Sequence, residues 1–164
     1  MNPLEHIADQ FTRTYAGETW HGDPIKRILQ DIDPQQAFRK PSQNVHSLWE
    51  IILHIIAWEK VVLKSLQGAA YTMLHDEDDW PLAKEPSSEA WQATLKVLEE
   101  TTETLRTLIA AFPETKLHEQ VPGQNFTFYM ALHGVIHHNL YHAGQIAILK
   151  KMSAEQEVLS SVAP

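Results

Sequence analysis

Apolar residues recur at helical spacing through most of the chain. In residues 2–16, Leu4, Ile7, Ala8, Phe11 and Tyr15 fall on one side of a 3.6-residue period, which predicts a first helix. The stretch HSLWEIILHIIAWEKVVLKSLQG predicts a second over roughly 45–67, with Ser42 or Asn44 as its cap and Gly68 as its end. From Leu48 to Val62 its apolar side chains cover most of the circumference, the pattern of a helix buried on several sides. A third helix begins after Pro86, with Ser87 or Ser88 as N-cap, and runs to about Ala111 before Pro113 closes it. A fourth covers roughly 127–151, capped by Thr127, with Lys150 and Lys151 suited to the negative end of its dipole.

The connections are less regular. Asp23 before Pro24 predicts a short helix over 24–31, and Pro34 and Pro41 punctuate the stretch between it and the second long helix. KLHEQVPGQNFTF alternates around Pro122-Gly123 and predicts a small hairpin. Residues 153–164, SAEQEVLSSVAP, are expected to form a loose tail after a domain spanning 1–152. The expected fold is all-α, a four-helix bundle. Its connections between helices one and two, and two and three, are long enough for a crossover in which helices two and three run parallel.

Composition narrows the function. With 21 acidic against 13 basic residues the net charge is −8, which repels phosphate backbones and anionic leaflets. Neither nucleic acid nor a membrane is expected as a partner. The longest apolar stretch is broken by Glu50, His54, Glu59 and Lys60 and is too polar for a membrane span. The first residues, MNPLEHIADQF, lack the basic and apolar regions of a signal peptide, so a cytoplasmic location is expected. The chain has no Cys, which excludes disulfides, a thiolate nucleophile of its own and Cys-based metal sites.

The chemistry concentrates in HGVIHHNLYH, residues 133–142. His138 and His142 share a stripe with Ala131, Val135, Ile146 and Leu149, a core-facing stripe with two imidazoles in its middle. Two neighbouring histidines there weaken the reading as ordinary buried residues, because each neutral ring needs partners for both nitrogens. Imidazoles at i and i+4 can instead converge on one cation. A third ligand must come from another helix, and the second offers His54. The rival pair, His133 and His137, lies on a stripe with Met130 and Ile148 that is also fairly apolar, so periodicity leaves the choice open. HDEDD, residues 75–79, lacks the Gly and spaced Glu of a calcium loop and reads as a solvated acidic loop.

Three stretches, WHGDPIKRIL, HSLWEIILHIIAWEK and HGVIHHNLYHAGQIAILKK, occur in this order, and the H-x-x-x-H-x-G-Q run from His138 to Gln145 is the most specific piece. On these residues the chain resembles the DinB/YfiT-like family of helical-bundle metalloproteins. The resemblance implies a divalent metal held by His54, His138 and His142. It also implies metal-dependent addition of a low-molecular-weight thiol cosubstrate to a small-molecule electrophile, and a homodimer. Metal-dependent hydrolysis, or a non-catalytic damage-inducible metal-binding protein, are the alternatives. Ala143 stands where many relatives carry Arg before G-Q. Three imidazoles leave coordination positions open, as catalytic metals require, and they suit Zn, Ni, Fe or Cu. Glu50, one turn before His54, is the candidate base or orienting partner of that ligand, with a solvent-facing charge as the plain reading. Trp49 and Trp58 read as core or pocket wall, and Gln145, Asn139 and Tyr141 as weaker candidates for the ligands' partners.

Overall fold

The computed structural model describes residues 2–162, with side chains described as far as Ser153. Four long helices carry it: α1 (Pro3–Tyr15), α4 (Leu48–Leu66), α6 (Ser88–Ala111) and α7 (Phe128–Val162). Three short ones, α2 (Ile25–Ile28), α3 (Pro34–Phe38) and α5 (Asp76–Asp79), lie in the connections, and no strand occurs among the described residues. No helix of these residues is long and apolar enough to cross a membrane.

The helices begin where side chains satisfy their first N–H groups. Asn2 and Glu5 form a capping box at α1, and Ser87 caps α6. Thr127 Oγ1 accepts from the Met130 N–H at 3.3 Å at the start of α7. The cap of α4 is Ser47 rather than Ser42 or Asn44. Ser47 Oγ accepts from the Glu50 N–H, and the Glu50 carboxylate accepts from the Ser47 N–H at 2.9 Å, a reciprocal box that neither earlier residue offers. Gly68 ends α4 with φ +93°, and the Ala69 N–H reaches back to the Lys64 carbonyl. That closure needs a left-handed residue, which glycine adopts without strain.

Three expectations change. The helix after Asp23 spans only Ile25–Ile28, with Pro24 at the cap position and no side-chain cap. Asp23 instead lies 3.5 Å from Arg27 in an exposed ion pair. The hairpin is reduced to one antiparallel bridge, Gln120 to Thr127, around a turn in which Gly123 takes φ +81°. α7 continues to Val162 through most of the segment expected as a tail, because neither Gly nor Pro interrupts residues 145–162. Lys150 therefore lies inside α7, and its Nζ donates to the Ile28 and Gln30 carbonyls at the end of α2.

α4 packs on α6 and α7, and α1 packs on the same two, so α1 and α4 face each other across a diagonal. α4 and α6 run parallel: Trp49 Nε1 donates to Thr94 Oγ1 at one level, and Thr102 Oγ1 donates to Glu59 at another. Parallel neighbours need a long connection, which 67–87 supplies. The core divides into two clusters. One joins Phe11, Val62, Leu105 and Leu132; the other joins Ile52, Trp91, Leu98 and Ile146. α7 is antiparallel to α4, because Val62 shares a cluster with Leu132 while Ile52 shares one with Ile146. The α4–α7 seam between the clusters holds the histidines.

Candidate metal centre

α4 contributes His54 and α7 contributes His138 and His142, one turn apart on its inward stripe. One ring nitrogen from each lies within 4.8 Å of the other two. His138 Nε2 is 3.0 Å from His54 Nε2. The two rings of α7 have centroids 4.5 Å apart at 73°. His54 and His142 are buried, and His138 is partly buried. The rival residues stand apart: His133 packs on Tyr129, His137 is exposed, and neither joins the cluster.

The partners of the rings decide which nitrogen faces inward. His54 Nδ1 lies 2.6 Å from the Asp79 backbone carbonyl, and His142 Nδ1 lies 2.7 Å from Gln145 Oε1. Both partners are oxygen acceptors, so Nδ1 carries the proton and Nε2 presents a lone pair to the cluster. A ligand histidine bound to metal has this arrangement, with the outer nitrogen donating to a carbonyl. Burial holds all three rings below the ordinary imidazole pKa, and it opposes the protonated form most at His138, which is pushed down to about 3. Repulsion from His142 and His54 adds to the effect at His138. Three neutral imidazoles, two of them with Nε2 lone pairs turned inward, are a donor set that fits a borderline divalent metal.

Around the rings the fold supplies partners that the sequence pattern did not mark. Asp79, in the acidic run read as solvated, turns inward: besides its carbonyl on His54, its Oδ1 accepts from Trp58 Nε1 at 2.7 Å. A backbone carbonyl carries no residue signature, so no local pattern could have named it. Trp80 lies flat against His54 at 3.8 Å and against His46 at 3.7 Å, a three-ring stack that covers one face of the site. Glu50 is buried, but its carboxylate meets Lys40 Nζ at 2.8 Å, the Ser47 N–H, and His46 Nδ1 at 3.4 Å. The observed oxygen partner of His54 is Asp79, in the place expected for Glu50. Trp49 is core, 3% exposed, and Trp58 forms a pocket wall beside His138.

Beneath the site, Glu59 is fully buried. Asn139 Nδ2 donates to its Oε1 at 2.7 Å and Thr102 Oγ1 to its Oε2 at 2.9 Å. Burial outweighs these two bonds and pushes its pKa up to about 7. Asn139 also adjoins the His138 ring. Asn139 Oδ1 and His138 Nδ1 are both buried without a hydrogen bond of good geometry, a complementary acceptor and donor side by side.

A family model described as the DinB superfamily matches residues 19–146, most of the chain and all three clustered histidines. The chain belongs to the DinB superfamily. No curated protein and no solved structure matches it. Within this DinB-superfamily chain, two cavities flank the histidines. One, of about 370 Å³, ends on His138 and is walled by Trp58, Tyr71 and Phe126. The other, of about 580 Å³, ends on His142 and carries His46, Asn44 and Gln145.

Proposed function

We propose that His54, His138 and His142 hold a divalent metal, Zn, Ni or Fe, and that the protein uses it to activate a thiol cosubstrate or water toward a small electrophile. The observation that carries this reading is the convergence of three neutral imidazoles, two of them with Nε2 fixed as the inward lone pair, between two cavities. A divalent metal there would act as a Lewis acid and lower the pKa of a thiol or water.

The chain's own residues do the rest. Asp79 and Gln145 orient the ligand rings, and Trp80 shields His54 from solvent. No Cys exists to serve as the thiol, so a thiol nucleophile comes from outside. His46 lines the cavity that ends on His142 and lies beside Glu50, so it can accept the nucleophile's proton with the carboxylate behind it. Glu50 in this reading supports the base and caps α4. A homodimer is part of this proposal, supported by the exposed apolar Met130, Tyr141 and Ile148 on α7 and checked by light scattering at micromolar concentration, and so is a cytoplasmic location.

The test is turnover of metal-loaded protein with a thiol and an electrophile, beside its His138→Ala variant. Loss of activity on chelation and in the variant supports the reading. Cleavage of an ester without thiol would establish the hydrolase instead. Binding of metal with no turnover across thiols, electrophiles and esters would leave a non-catalytic metal-binding protein.

A further inference from the structure

We propose that the cavity ending on His138 binds an uncharged, flat, apolar small molecule, and that Gly134 sets the size of molecule it admits. The proposal rests on the metal reading above, whose centre would stand at the cavity's inner end.

The cavity's volume, about 370 Å³, lies within the range of small-molecule pockets, at the small end. Among the described residues, no Lys, Arg, Asp or Glu lines it. Its three polar side chains are committed or neutral. Trp58 Nε1 already donates to Asp79, burial raises the Tyr71 pKa so the phenol keeps its proton, and His138 Nε2 is turned toward His54 Nε2, 3.0 Å away. With the metal removed, a charged ligand would lose its hydration and find no counter-charge on these walls. The aromatic walls set the shape: Tyr71 meets Phe126 edge-on at 5.3 Å and 90°, and Trp58 lies 6.4 Å from Tyr71 at 37°. Such a corner offers ring faces and edges to a flat partner. The other cavity is apolar over much of its wall too, but it adds Ser42, Asn44, His46 and Gln145, which give the polar cosubstrate hydrogen-bonding partners. The two reactants would thus approach the histidines from separate sides.

Gly134 lines the apolar cavity one turn before His138. Its backbone is helical, so no left-handed conformation requires glycine there. A Cβ built on it meets nothing within 4 Å, so packing does not require glycine either. Glycine inside a helix is less favourable than alanine. What it provides at this position is room, and a larger side chain would extend into the cavity.

The experiment is calorimetric titration of the full chain with 2-naphthol, metal-loaded and again after chelation. Naphthalene-2-sulfonate serves as the charged counterpart, and metal content is measured in parallel. The expected result is one 2-naphthol per chain and, after chelation, at least about tenfold weaker binding of the sulfonate. Gly134→Leu should weaken 2-naphthol at least about tenfold at unchanged metal content. Gly144→Leu, the same change at an exposed helical glycine that does not line the cavity, should bind as the parent does. If Gly134→Leu fails to fold, Met130→Trp at the exposed rim carries the same expectation. Equal affinity of the chelated protein for both probes, no binding of 2-naphthol, or parent-like binding by the filled variant would overturn the proposal. Metal loss alone would overturn the metal reading and leave the probe result standing.

Discussion

The Nε2 atoms of His54 and His138 stand 3.0 Å apart across the α4–α7 seam, although 84 residues separate them in the chain. Two lone pairs that close repel unless a proton or a cation lies between them. Alanine at His54, His138 or His142 should therefore remove most bound metal, with affinity falling by more than about a hundredfold. Alanine at His133 or His137 should leave the metal in place, because neither ring reaches the cluster. Elemental analysis of protein purified without a nickel-affinity step reads the outcome, and metal loss that tracked His133 or His137 would refute the assignment.

Gln145 fixes the tautomer of His142 through the 2.7 Å contact at Nδ1. Gln145→Leu removes that acceptor without touching a proposed ligand. Metal affinity should fall roughly 10–100-fold, with the helical circular-dichroism signal unchanged. Competition with a chelator of known affinity measures it, and parent-like affinity would show that the contact does not orient the ring.

Glu59 should make the fold more stable in mild acid than at neutral pH. Its folded pKa of about 7 lies above the ordinary 4.5. Below the lower value both states hold the proton. Between the two, the unfolded chain releases it first, so stability falls as pH rises, by up to about 3 kcal/mol, and then levels off. Glu59→Gln keeps the shape and removes the ionisation, so its stability should change less from pH 5 to pH 8. Urea midpoints of chelator-treated protein give the comparison, and parallel pH profiles for parent and variant would count against a protonated Glu59.

Phe11 and Ile52 are fully buried in separate core clusters. Phe11→Ala should cost about 3–5 kcal/mol and Ile52→Ala about 2–5 kcal/mol. Ile52 shares its cluster with Ala143 and Ile146, on the turns of α7 next to His142, so its loss should also lower metal retention, whereas Phe11→Ala should affect stability alone. Denaturation midpoints together with metal content separate the two effects.

Local features were legible in the sequence. Periodicity marked all four long helices, and side-chain chemistry marked the caps at Ser87 and Thr127, because both depend on residues within a turn of one another. The i, i+4 spacing put His138 and His142 on one inward stripe for the same reason. Periodicity left the rival pair open, since both stripes carry apolar residues, and it took the packing of α7 on α4 to turn one of them toward His54. Packing also made the Asp79 carbonyl, rather than the Glu50 carboxylate, the group that orients His54. It buried Glu59 beside Asn139, where a charge on an apolar helix could otherwise have reached solvent. It opened two cavities beside the histidines, one reaching His138 and the other His142. Each of these depends on contacts between segments distant in the chain, and such contacts leave no periodic trace in any one segment.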